Sequence, residues 1–172
     1  MLRRLRAPLR KLRRDNRGQE LVELAMILPI VLLILLGTME LGHTYYVTHA
    51  MTGLSREAAN LAARGSSLAQ SAQIAVQNGA DIDLVNKGGA LSSRLVVTGG
   101  VPIVVEQASY GSVGSSKMGI VGSPALALPA LVLDEGRVLY TVEIYYQYSP
   151  ITPLVGLMGG LIPSGLYERA LF

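Results

Sequence analysis

Arg17-Gly18-Gln19-Glu20-Leu21-Val22-Glu23-Leu24-Ala25-Met26-Ile27-Leu28-Pro29 joins a basic leader to an apolar run. Eight of the fifteen Lys and Arg residues (Arg3, Arg4, Arg6, Arg10, Lys11, Arg13, Arg14, Arg17) precede Gly18, whereas Leu24 to Met39 carries no charge. Basic residues beside an apolar segment are drawn to an anionic cytoplasmic membrane face and resist translocation. The charge step therefore predicts an amino terminus that stays inside the cell. The uncharged character resumes after Glu40 and continues from Leu41 to Ser55, with no Lys or Arg before Arg56. A helix of about 20 residues, rising about 1.5 Å per residue, crosses a hydrocarbon core of roughly 30 Å. From near Leu21 to near Tyr45 the stretch is long enough to cross once, with Tyr45 and Tyr46 at the interfacial level that suits amphipathic rings.

A secretory signal peptide shares the basic and apolar regions but ends in a small-residue cleavage site. Here Met39-Glu40-Leu41-Gly42-His43 and two tyrosines follow the apolar run, which argues against removal at that end.

Glu23 stands at the edge of the run, where a carboxylate within the membrane is costly and normally paired. A cut between Gly18 and Gln19 would create an α-amino group four residues away, about 6 Å along a helix. Ammonium and carboxylate can then neutralise one another in a low-dielectric setting, within one chain or between neighbours. The same cut would strip off the basic leader.

Gly at the cut, an acid at the fifth position of the mature chain and an apolar helix resemble the type IV prepilin signature. More narrowly, Arg17 to Pro29 followed by Glu40-Leu41-Gly42 resembles the TadE subfamily of tight-adherence (Flp) pilus assembly proteins. The resemblance covers residues 14–65 closely and the remainder in outline, through a β-rich tract and Pro150-Ile151-Thr152-Pro153-Leu154. It implies cleavage after Gly18 by a prepilin peptidase, Gln19 as the first mature residue and Glu23 as the acid that sets filament register. It also implies membrane lipid, other pilin subunits and a pilus assembly platform as partners. The expected location is the inner membrane, crossed once with the head outside the cytoplasm, and then the pilus at the cell surface. Two positions depart from the pattern: Gln19 replaces a large apolar residue, and Leu24 rather than an aromatic follows the acid. At 172 residues the chain is longer than the family's very short major pilin and too short for the TadG type with its von Willebrand-like domain. A minor pilin or pseudopilin is the best match.

The helix is expected to continue past the membrane, because Val47, Ala50, Met51, Leu54, Ala58 and Leu61 recur at three- and four-residue steps. His49, Arg56, Asn60 and Arg64 form the opposite stripe. Running from Gln19 to Arg64, its 46 residues would extend about 69 Å. Pro29 lies inside the apolar half, where it removes a backbone donor and predicts a kink. Beyond Gly65 the composition turns to Gly, Ser, Ala and β-branched residues, enough for one small domain. Ser67 to Gln77 extends or follows the helix. Arg94 to Thr98, Ile103 to Ala108 and Val138 to Tyr148 read as strands, the last by strict alternation. The expected fold class is α+β: a leader over residues 1–18, a long helix over 19–65, and a small antiparallel β-sheet head over 66–172 packed on that helix. The apolar tracts Pro124 to Leu133 and Pro150 to Pro163 are expected to cover the head's core; Ile151 to Ile162, 12 residues, is too short for a second crossing.

Catalytic chemistry has little to stand on, and no enzymatic role, cofactor or metal is expected. The chain has no Cys, which excludes thiol chemistry and disulfides, and only two His. Glu40 and His43 form one Glu-x-x-His pair, whereas di-iron bundles need two such pairs and two further Glu. They read as polar residues at the membrane edge. Asp81-Ile82-Asp83 and Asp134-Glu135-Gly136 read as turns with too few oxygen ligands for Ca²⁺. Gly111 to Gly119 superficially resembles a phosphate loop but has Ser116 before Lys117 and Met118 after it, which leaves a flexible surface loop. The net charge of +3 belongs to the leader: after Gly18, 7 basic residues face 11 acidic ones, so the remainder has no basic footprint for nucleic acid. The rival to a filament subunit is a permanently anchored envelope domain that binds a partner and is never cleaved.

Overall fold

The computed structural model describes residues 17–126, 134–153 and 163–172. The leader before Arg17 and most of the two apolar tracts lie outside them. A helix of 47 residues, α1 (Arg17–Ala63), is followed by α2 (Leu68–Asn78), a 3₁₀ turn (Gly79–Ile82), the single turn α3 (Leu84–Lys87), and strands β1 (Gly88–Thr98), β2 (Val101–Gly111), β3 (Val138–Gln147) and β4 (Gly165–Leu171). The strands form one antiparallel sheet in the order β2-β1-β3-β4, so the fold is the expected α+β arrangement of a long apolar helix and a small sheet.

Local signals explain the joints. Gly65, at φ +101°, closes α1. Ser66 N–H reaches Leu61 O at 3.1 Å and Gly65 N–H reaches Ala62 O at 3.1 Å, a Schellman stop. Ser67 then caps α2 by accepting from Gln70 N at 3.2 Å, so this segment follows the long helix rather than extending it. Gly99 and Gly100, both at positive φ, make the tight β1–β2 turn. The Glu135 carboxylate accepts their two N–H groups at 3.0 and 3.2 Å. Pro102 is tolerated inside β2 because β2 is an edge strand.

One face of the sheet packs on α1 and α2. Val47, Met51, Ala58 and Ala59 of α1 and Ala72, Ala75 and Val76 of α2 meet Ala90, Val142, Ile144, Tyr146, Tyr148 and Ala170. The expected stripe on α1 is rotated slightly: Ala50, Leu54 and Leu61 are half-buried, while Ser55, Ala59 and Ala62 are buried in their place. These small side chains let helix and sheet approach closely. The other face buries Leu95, Val104, Met118 and Leu139. It is covered by the chain after β2: Gly111, Ser112, Gly114, Ser115 and Lys117 are exposed, as expected of a surface loop, but the loop ends in Met118, which is wholly buried. Strand β3 is consequently buried on both faces, Thr141 and Glu143 included.

Candidate functional site

Helix α1 is one element with two environments. Between Leu21 and Met39 the large apolar side chains, Leu36 apart, are about half exposed or more, and no residue of the most apolar window of the helix is buried. From Glu40 onward the same helix carries the head, with Glu40, Val47, Met51, Ser55, Ala58 and Ala62 buried along one line. The exposed half is a candidate membrane anchor by length and composition.

At its start, Gly18 and Gln19 lie in the first turn of α1, and among the described residues nothing beyond the adjacent helix backbone stands within 4 Å of the place a Gly18 side chain would occupy. The Gln19 side-chain Nε2 donates to Glu23 Oε1 at 2.9 Å, four residues along the helix. The acid therefore has a partner already in the uncut chain. The helix continues through Pro29, whose missing N–H leaves the Ala25 carbonyl without its usual donor.

At the junction with the head, Glu40 is 3% exposed and its carboxylate is saturated by donors from the chain after β3. Tyr148 Oη donates to Oε1 at 2.6 Å, and Thr152 donates to Oε2 through its backbone N at 2.9 Å and its Oγ1 at 2.8 Å. His43 Nδ1 lies 3.0 Å from Tyr148 Oη, and Thr44 Oγ1 lies 2.9 Å from it. Since the phenol gives its one proton to Glu40, His43 is placed to donate from Nδ1. Burial first, and then the bond to Glu40, push the Tyr148 phenol above its ordinary range. Glu40 and His43, read from the sequence as membrane-edge residues, thus converge on one tyrosine of the head. The first buried residue of α1 is Glu40, and Leu41, Gly42, Tyr45 and Tyr46 stay exposed on its other side.

A second carboxylate is enclosed on the far side of the sheet. Glu143 of β3 is wholly buried and accepts from Ser116 Oγ at 2.5 Å, Lys117 N at 2.9 Å, Tyr167 Oη at 2.7 Å and Tyr145 Oη at 3.1 Å. Burial, then the Glu143 charge, pushes the Tyr145 phenol up to about 12, and Tyr167 is pushed upward further by burial and its bond to Glu143. The Lys117 ammonium rests over the Tyr167 ring, 3.9 Å from its centroid. With its acceptor sites filled from within the chain, this group ties the loop to the sheet. Among the described residues, no group of three or more His, Asp or Glu side chains is placed to share a metal ion.

Residues 18–60 match the family model described as TadE-like protein. The long helix is TadE-like. No curated protein and no solved structure matches the chain. The TadE-like match begins at Gly18 and covers the Gln19–Glu23 contact, the exposed apolar half and the Glu40–His43 turn, stopping near the end of α1. It associates the chain with the tight-adherence pilus system and its components. The head lies beyond the matched segment. The donors Tyr148 and Thr152 were not singled out from the sequence; the available signal was Glu40 itself, a lone acid between two uncharged stretches.

Proposed function

We propose that this chain is a non-enzymatic minor pilin or pseudopilin of a tight-adherence pilus, made with a basic cytoplasmic leader that a prepilin peptidase removes after Gly18. The observation that carries the reading is the division of α1 at Met39 and Glu40. A bare apolar rod joined rigidly to a folded head suits storage in lipid, followed by packing against like rods in a filament. The leader holds Gly18 at the cytoplasmic face until it is cut. Glu23 then pairs with the new amine, in its own chain or a neighbour's, and sets register. The partners are prepilin peptidase, membrane lipid, other pilin subunits and the assembly platform.

Mass spectrometry of the amino terminus, on protein recovered from membranes and from sheared surface filaments, tests this. A mature pool starting at Gln19, with or without a methylated amine, supports it. A pool that keeps Met1 or Leu2 would sink it and favour the permanently anchored domain. Gly18→Ala should block processing, whereas Glu23→Ala should leave processing and abolish assembly.

A further inference from the structure

A glutamine uncovered as a first residue has a reaction of its own. In its neutral form the α-amine nitrogen attacks Cδ of the same side chain, forming the N–Cδ bond of a five-membered lactam. The Cδ–Nε2 bond breaks, and Nε2 departs as ammonia with the proton that the amine gives up. No other reactant is needed. The product has lost the ammonium that the Glu23 carboxylate would face.

The contact between Gln19 and Glu23 bears directly on this reaction. Closure requires the Gln19 carboxamide to fold back over its own amine, yet Nε2 is held by Glu23 Oε1 at 2.9 Å in the opposite direction along the helix. A carboxylate one helical turn away also favours the charged amine, which cannot attack. Both effects act the same way. They also make sense of an amide at a position where the related pattern has a large apolar residue: Gln19 supplies a donor to Glu23 before the cut and remains its partner after it.

We infer that Glu23, besides its part in register, is a positioning residue that keeps the Gln19 carboxamide engaged and so preserves a free α-amine on the processed chain. The inference rests on the reading that Gln19 becomes the first residue. The test is therefore built so that the two fail separately. The full chain is made with its leader joined through a site for an added protease that leaves Gln19 first. The purified protein is cut in detergent, and loss of one ammonia from the amino-terminal peptide is followed by mass spectrometry. E23A should close about five-fold faster than the parent, the factor an ordinary net hydrogen bond is worth. E23Q, which keeps an oxygen acceptor but no charge, should fall between them. Equal rates in parent and E23A, a slower E23A, or an E23Q indistinguishable from E23A would each overturn the inference. Recovery of cellular protein with Met1 intact would instead remove the processing reading and leave these rates unaffected.

Discussion

The Tyr148 hydroxyl donates to Glu40 at 2.6 Å, joining the end of the last long strand to the middle of a helix 108 residues earlier. The bond lies where α1 passes from bare to covered, and Thr152 adds two more donors to the same carboxylate. A buried carboxylate with three donors is costly to remove, because each donor is left without a partner.

Glu40→Ala should therefore lower the head's stability by about 2–4 kcal/mol. Tyr148→Phe, which removes one donor and keeps the ring, should cost about 1 kcal/mol. Urea unfolding of the detergent-solubilised protein, followed by near-ultraviolet tyrosine dichroism, measures both. A Glu40→Ala protein as stable as its parent would show that the junction contributes no net stability.

Glu143 makes a parallel prediction for the far face of the sheet. Its carboxylate holds Ser116 Oγ and Lys117 N, and Met118 follows into the core. Glu143→Ala removes the acceptor shared by Ser116 Oγ, the Lys117 amide and the Tyr167 hydroxyl, and should loosen the loop. Trypsin requires a Lys or Arg in a segment that can open locally. Cleavage after Lys117 should accordingly rise by tenfold or more, on the order of the population shift from losing about 1.4 kcal/mol of local stability. Unchanged cleavage there would mean that the loop is held by its other contacts, among them buried Met118 and the Gln107 amide on Ser116 and Gly119, without need of Glu143.

Much of this architecture was legible because it rests on local periodicity. The uncharged run and the three- and four-residue recurrence after it define α1, and the alternation from Val138 defines β3. The first half of β1 was not legible: Gly88-Gly89-Ala90-Leu91-Ser92-Ser93 has no β-branched residue to favour a strand. It is a strand because its glycines let neighbours approach. A Cβ at Gly88 would fall on the Tyr145 carbonyl oxygen, and one at Gly89 would stand 2.6 Å from that of Tyr110. Strand β4 was equally hidden, being short and mixed in character, with Glu168 and Arg169 at its centre. The Glu40 junction could not be read at all, since its partners become neighbours only once β3 runs back toward the start of the covered half of α1. Gln19 and Glu23, by contrast, are neighbours through helical spacing alone, although the donor in the uncut chain is the side-chain amide rather than an amine.

The two half-buried tyrosines bonded to Glu143 give the head a pH dependence of definite sign. Tyr145 is raised from 10.0 to about 12, and Tyr167 is raised further. Below pH 10 folded and unfolded chains both keep these protons and the two groups contribute no slope. Above it the unfolded chain releases them while the folded head retains them, so stability falls as pH rises through about 12. With eight Tyr and no Trp, tyrosinate absorbance near 295 nm is a clean readout. The signals of Tyr145 and Tyr167, assigned by Tyr→Phe variants, should emerge together with alkaline unfolding. Their ionisation near pH 10 in a head that is still folded would contradict the enclosure of Glu143.

The two halves of α1 should also answer differently to the same kind of truncation. Met51 is wholly buried between helix and sheet, whereas Leu33 is 49% exposed. Met51→Ala leaves a cavity and should cost the head about 2–5 kcal/mol. Leu33→Ala removes a side chain from the bare stretch and should change head stability by no more than about 0.5 kcal/mol. Urea unfolding of the two variants in one detergent, read through the tyrosine signal, makes the comparison direct. If Leu33→Ala destabilised the head as much as Met51→Ala, the first half of the helix would be part of the folded core and unavailable to lipid or to neighbouring subunits. If only Met51→Ala does so, the head folds independently of the apolar rod. The rod could then exchange lipid for protein contacts without cost to the fold above it.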